Sequence, residues 1–176
     1  DEHTIDLGGK RYSAKSWVIA TGSSPIVPPI SGLAETPFIT NKEIFYLDKL
    51  PASMIVLGGG PIGIEMAQAF NRFGTRVSVV DKADQILGKE DKSMADMVMN
   101  VMVSEGVNFN LGASIESVGN SGDVKEVVIT DSKGQTQALK ADTLLVAMGR
   151  SANVDDLGLE DIGVTFNRRG IEVDKR

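Results

Sequence analysis

The stretch that most constrains this chain runs from Met54 to Asp81. An apolar run, Met54-Ile55-Val56-Leu57, meets a glycine turn, Gly58-Gly59-Gly60-Pro61-Ile62-Gly63. A helical pattern follows, and then a second apolar strand, Val77, Val79 and Val80, that ends on Asp81. A lone G-x-G-x-x-G says little, because glycine turns are common. Here the turn stands between a strand and a helix, and an acid follows the third glycine by 18 residues. That combination is the pattern of a βαβ unit that holds a dinucleotide.

Each residue has a physical reason. Gly58 allows a tight strand exit, where positive φ is expected and a Cβ would clash. The bare Gly60 lets a pyrophosphate approach the backbone, and Gly63 lets the helix lie close to its strand. The amides of Ile62 and Gly63 open the helix without partners, and the helix dipole adds partial positive charge there. A diphosphate is thus stabilised without lysine or arginine, by about 0.3–1 kcal/mol for each dipole contact. Pro61 sits at the helix entrance, where its missing N–H costs least. Asp81 is placed to accept both hydroxyls of a ribose.

Composition removes other classes. With 18 basic and 24 acidic residues spread along the chain and a net charge of −6, the balance argues against a nucleic-acid surface, where a basic patch is expected. No apolar run approaches the ~20 residues that span a bilayer, so no membrane partner is expected. There is no cysteine, hence no disulfide, thiolate metal site or redox thiol, and the single histidine, His3, lies near the terminus. No signal-peptide pattern is visible, and the expected location is cytoplasmic.

Along the chain, Thr4–Leu7 and Arg11–Ala14 read as a hairpin about Gly8-Gly9, and Ser16–Ala20 as an apolar strand ending at Thr21-Gly22. Residues 25–50, with Pro25, Pro28, Pro29 and Pro37, read as a surface connector with a short helical piece near Lys42–Leu47. In the first βαβ helix Ile62, Met66, Ala69, Phe70 and Phe73 recur at helical spacing, and Gly74 ends it. A second helix is expected over Ser93–Glu105, with Met94, Met97, Val98, Val101 and Met102 on one face. That methionine stripe suits core packing better than a soft-metal site, since no other soft ligand is present. Val107–Leu111 reads as a third strand. Ser114–Val118, Lys125–Thr130 and Gln135–Lys140 then read as an antiparallel meander, with turns at 119–122 and 131–134. Thr143–Ala147 is expected as a buried parallel strand whose end, Met148-Gly149-Arg150, falls at the ligand-binding edge of the sheet.

The sequence resembles the flavoprotein disulfide reductases, among them the mercuric-reductase-like and dihydrolipoamide-dehydrogenase-like members. Val18–Pro25 is similar to the family's A-T-G-x-x-P strand end, and Gly58–Glu65 (GGGPIGIE) to its nicotinamide-cofactor motif. Asp81 is similar to the ribose-binding acid. Gly149-Arg150 and Asn153, with Leu157–Glu160 and Gly163-Val164, resemble the segment leaving the nicotinamide domain, although Ala152 stands where the family has proline.

The resemblance implies an α/β, Rossmann-like nicotinamide-dinucleotide-binding domain over residues 51–148. The meander would form its crossover. Residues 1–24 would be the tail of a flavin-binding domain, 25–50 the connector and 149–176 a return segment towards the flavin domain. The family's FAD motif, its C-x-x-x-x-C pair and its C-terminal dimerisation domain have no counterpart here. The chain is therefore expected to be one piece of a homodimeric, FAD-dependent oxidoreductase, inactive by itself.

By the same resemblance Gly58, Gly60, Ile62 and Gly63 would hold the pyrophosphate. The cofactor-binding position Pro61 stands where some members have a tyrosine that gates the nicotinamide pocket, a motion proline cannot make. Glu65 and Gly149 would face the nicotinamide, and Asp81 with Lys82 the adenosine ribose. Thr21 and Gly22 would touch flavin in the whole enzyme, and no residue here would be catalytic. Glu65 also suits a plain first-turn acid favoured by the dipole. NAD is expected over NADP, because Asp81 repels a 2′-phosphate and no arginine stands between Asp81 and Asp91. Lys82, Lys89 and the NADPH use of mercuric reductases weigh against it. A dinucleotide-binding or sensing module without redox chemistry is the alternative. The family-ordered flanks favour the reductase.

Overall fold

A computed structural model describes residues 3–174. In chain order they form β1 (Thr4–Leu7), β2 (Lys10–Ser13), β3 (Ser23–Pro25), a 3-10 turn (Glu43–Tyr46), β4 (Ser53–Leu57), α1 (Pro61–Arg72) and β5 (Arg76–Val80). Then follow α2 (Lys92–Ser104), β6 (Asn108–Asn110), β7 (Ser114–Ser121), β8 (Val124–Thr130), β9 (Thr136–Ala141) and β10 (Thr143–Val146). The last strands are β11 (Arg150–Ala152), β12 (Phe166–Asn167) and β13 (Gly170–Ile171). The chain divides into two compact units, one of residues 25–149 and one of the two flanking segments.

The larger unit is built on a parallel sheet of order β10-β4-β5-β6. The central strand β4 is buried on both faces, which explains why it reads as an unbroken apolar run rather than an alternating one. Because side chains alternate, Met54 and Val56 of β4, Val77 and Val79 of β5 and Leu145 of β10 share a core with the two helices. Ile55, Leu57, Val80, Leu144 and Val146 form a second core with Val118, Val127 and Ile129 of the antiparallel sheet β7-β8-β9. Helices therefore cover one face of the sheet and a second sheet covers the other. Ser53 and Asp142 exchange reciprocal hydrogen bonds of 3.0 Å, which fixes where β4 and β10 begin beside each other.

The connector lies largely at the surface, as its prolines suggest, but a few buried residues anchor it. Leu33 is 1% exposed and joins the second core, while Ile44 joins the first. Ile39 bridges Leu145 in parallel fashion, donating to the Leu144 carbonyl (2.9 Å) and accepting from Val146 (2.8 Å). These bonds cover the otherwise open edge of β10.

α1 turns inward the face its periodicity marks, with Ile62, Met66 and Phe70 on the core, and α2 does so only in part. α1 buries Gly63, Ile64, Met66, Ala67 and Phe70, whereas Phe73 lies past its end and is exposed. α2 buries Ala95 and Met102, with Val98 and Met99 packed against the core. Met94 and Met97, 58% and 63% exposed, face outward with Val101. The core-packing expectation holds for Val98 and Met102 and fails for Met94, Met97 and Val101. The reason is that the apolar side of α2, which leaves Lys92, Ser93, Asp96, Asn100 and Ser104 on the other, is wider than the core it covers. Only tertiary contact chooses which part of that side turns inward.

The smaller unit carries the β1–β2 hairpin, with register Thr4↔Ser13 to Leu7↔Lys10, the pair β3–β11 and the short hairpin β12–β13. The strand expected over Ser16–Ala20 is absent. Among the described residues no strand lies beside it to accept its ladder, and Val18 is 89% exposed. The first meander turn is also shorter than expected, since β7 continues through Gly119 to Ser121.

Candidate functional site

The carboxyl ends of β4, β5 and β10 meet at the glycine turn. Gly58 leaves β4 at φ +111°, and a Cβ there would stand 2.4 Å from the carbonyl oxygen of Ala147, just beyond β10. Both conformation and space therefore demand glycine. A Cβ on Gly63 would fall 1.9 Å from the Gly58 carbonyl oxygen, so this glycine lets α1 begin against the strand it follows. Nothing lies within 4 Å of where a Gly60 Cβ would point. One glycine of the motif thus faces open space, and two answer to packing.

α1 opens with Gly60 at its N-cap and Pro61 at its first position, and its first main-chain bond runs from the Ile64 N–H to the Gly60 carbonyl (2.9 Å). The N–H groups of Ile62 and Gly63 therefore have no acceptor within the helix. Pro61 is exposed and Ile62 packs its side chain against the helix-side core. This is the cradle a diphosphate needs: first-turn amides, a favourable dipole and a bare backbone at Gly60.

Asp81 follows the last residue of β5 and is half-buried. Its Oδ2 accepts the Gly59 N–H at 2.5 Å and its Oδ1 accepts the Ala83 N–H at 2.7 Å. A carboxylate offers about four acceptor positions, so two remain for hydroxyl donors. Lys82 points from the next position and is exposed. The residues thus fit the phosphate and ribose portions of a dinucleotide. The link from Asp81 to Gly59 is a feature that no sequence pattern announces.

Two expected positions read differently in three dimensions. Glu65 is exposed, but α1 starts at Pro61, which puts Glu65 in the second turn. The dipole acts within the first turn, so it does not account for this acid. Gly149 is exposed at φ +116°, its backbone oxygen accepting the Ile26 N–H at 3.0 Å.

Thr21 and Gly22 belong to the smaller unit and are exposed. There the Thr21 hydroxyl donates to the Asn153 carbonyl (2.6 Å), Asn153 Nδ2 donates to the Thr21 carbonyl (2.9 Å), and the Asn153 N–H donates to the Gly22 carbonyl (3.0 Å). Ser24 donates to Asn153 Oδ1 (2.9 Å), while Arg150 donates from Nε to Ser23 Oγ (2.7 Å) and from its terminal nitrogen to the Ser23 carbonyl. The A-T-G-x-x-P end and the G-R-x-x-N segment, over a hundred residues apart in sequence, are therefore bonded partners. Among the described residues no group of three or more His, Asp or Glu side chains could hold a metal, and no helix is long and apolar enough to cross a membrane.

Comparison with known proteins gives the same family for the whole chain. The model of the pyridine nucleotide-disulphide oxidoreductase family matches residues 1–176. A mercuric reductase of Lysinibacillus sphaericus is 35% identical over 164 residues, covering 93% of this chain and 30% of that protein. A dihydrolipoyl dehydrogenase of Staphylococcus aureus is 37% identical over 172 residues, covering 97% of this chain and 36% of its own length. Among solved structures, the HOCl-induced flavoprotein disulfide reductase RclA from Escherichia coli superposes with a TM-score of 0.85 at 31% identity, over 98% of this chain and 39% of that one. The chain thus spans about a third of the length of these relatives.

Proposed function

The chain belongs to the pyridine nucleotide-disulphide oxidoreductase family, and from that premise we propose that residues 25–149 are the part of such an enzyme that binds the nicotinamide dinucleotide. The observation that carries this reading is the turn itself: a strand-to-helix glycine turn, open above Gly60, whose neighbouring strand ends on a carboxylate bonded to it. The amides of Ile62 and Gly63 bind the pyrophosphate. Asp81 accepts the adenosine ribose hydroxyls, and Glu65 and Gly149 lie towards the nicotinamide.

When bound, the reduced cofactor supplies the hydride that a flavin accepts on behalf of a disulfide or metal-ion substrate. The residues of this chain bind and orient; none donates or takes a proton in that transfer. NADH is preferred to NADPH, since a 2′-phosphate would bring negative charge against Asp81. Thr21 and Gly22 belong to the flavin-binding side of the whole enzyme.

Calorimetric titration of the purified protein with NADH, NADPH and FAD tests the proposal. NADH should bind, NADPH more weakly, and FAD not measurably. The protein should be colourless and should fail to reduce dyes with NADH. A yellow preparation that holds flavin and ignores NADH would overturn the assignment.

A further inference from the structure

The ribose-facing acid is also part of the phosphate cradle. Gly59 is the middle residue of the turn, and both polar groups of its backbone are held. Its N–H donates to Asp81 Oδ2 at 2.5 Å, and its carbonyl accepts the Leu87 N–H at 2.8 Å. Leu87 makes that bond from φ +51°, in the left-handed region that a leucine side chain disfavours, while its neighbour Ile86 is fully buried. Asp81 is fixed in its turn. Its own N–H donates to the Asn110 carbonyl and its carbonyl accepts the Ala113 N–H, each at 3.1 Å. The carboxylate therefore stands on a rigid base, gripping the loop in front of it.

We propose that Asp81 is a positioning residue for the phosphates: through the Gly59 amide it holds the glycine turn in the shape that leaves the first-turn amides of α1 free for a diphosphate. The inference rests on reading the site as dinucleotide-binding. It also assigns the amides of the turn. The Gly59 N–H is committed to Asp81, so the anion is held by the amides beyond it. Pre-organisation of this kind lowers the cost of ordering the loop when ligand arrives.

Electrostatics and positioning predict opposite signs. A carboxylate near a diphosphate repels it, so Asp81→Ala should tighten phosphate binding if charge alone mattered. If Asp81 shapes the cradle, the same change should weaken it. The probe is 2′,3′-dideoxyadenosine diphosphate, which has the phosphates and no ribose hydroxyls, titrated beside NADH into wild type, Asp81→Ala and Asp81→Asn.

For Asp81→Ala we expect dideoxyadenosine diphosphate to bind about tenfold more weakly, the scale of one charge-assisted hydrogen bond. Asp81→Asn should recover part of the loss, because its amide oxygen can accept the Gly59 N–H. In the ligand-free protein the Gly59 amide proton should resonate downfield in wild type, move upfield in Asp81→Ala and stay largely downfield in Asp81→Asn. An Asp81→Ala protein that loses NADH affinity but binds the dideoxy probe as well as wild type, with the Gly59 resonance unmoved, overturns the positioning role and leaves the dinucleotide reading standing. Wild type that binds neither nucleotide overturns the dinucleotide reading and the phosphate role together. If Asp81→Ala does not fold, the Asp81→Asn titration and its Gly59 resonance decide by the same criteria.

Discussion

Gly60 and Gly63 belong to one motif and answer to different forces. Gly60→Val places its branched side chain in the open space above the turn, where nothing of the protein lies within 4 Å. The fold should survive, with dinucleotide binding lost in titrations of the folded variant. Gly63→Ala instead drives a Cβ to 1.9 Å from the Gly58 carbonyl oxygen, a backbone atom with little room to yield. It should cost about 1–3 kcal/mol of stability or more, the range of overpacked cores, measured by chemical denaturation. Unchanged NADH affinity in Gly60→Val would place the diphosphate elsewhere. With the adenosine ribose at Asp81 as proposed, a 2′-phosphate would meet a repulsion of roughly 1–4 kcal/mol at effective dielectrics of 80 to 20. The NADH-over-NADPH preference should therefore shrink in Asp81→Ala, and tighter binding of NADPH than NADH by wild type would overturn the preference.

Elements are held by contacts their periodicity does not reveal. In α2, Met102 is fully buried while Met97 is exposed. Met102→Ala should cost about 2–5 kcal/mol, and Met97→Gln should stay within about 0.5 kcal/mol of wild type. Equal losses in urea denaturation would mean that the outer stripe is buried after all. The 3-10 turn at Glu43–Tyr46 carries a pH dependence of its own. The Thr40 hydroxyl (2.6 Å) and N–H (2.8 Å) both donate to Glu43 Oε2, and these bonds hold the carboxyl below its ordinary value of 4.5. A depressed folded value means that the stabilisation is complete above about pH 4.5, the ordinary glutamate value. It is lost as pH falls through the lower, folded value. Amide exchange at Thr40 should accelerate over that acid range in wild type and be pH-insensitive there, apart from intrinsic chemistry, in Glu43→Gln. Because Glu43 is exposed, the effect is local to the turn.

For the whole molecule, ligand and stability are linked. A dinucleotide that binds only the folded larger unit raises its stability by about 2.7 kcal/mol at a hundred times Kd. Thermal unfolding should therefore move upward with NADH in proportion to the logarithm of its concentration, and FAD should produce no such shift. The smaller unit offers an internal control. Asn153→Ala removes the bonds from its side chain to Ser24 and Thr21 and leaves the glycine turn untouched. It should loosen residues 21–24 in hydrogen exchange without changing NADH affinity.

The sequence by itself determined the local frame: strand, glycine turn, helix, strand and terminal acid, the β1–β2 hairpin, and the order of the later strands. These are legible because hydrophobic periodicity and turn chemistry act within a few residues. The glycine positions were legible too, since backbone geometry permits few alternatives at a tight strand exit. Tertiary structure decided which part of the broad apolar side of α2 faces the core, burying Ala95 and Met102 and leaving Met94 and Met97 outside. It also drew the proline-rich connector, through Leu33 and Ile39, into the sheet and its cores. The strand expected at Ser16–Ala20 did not form, because a strand needs neighbours and no periodicity supplies them. The grip of Asp81 on Gly59 likewise joins residues 22 positions apart, and its existence follows from the side-by-side register of β4 and β5, which only the folded sheet fixes.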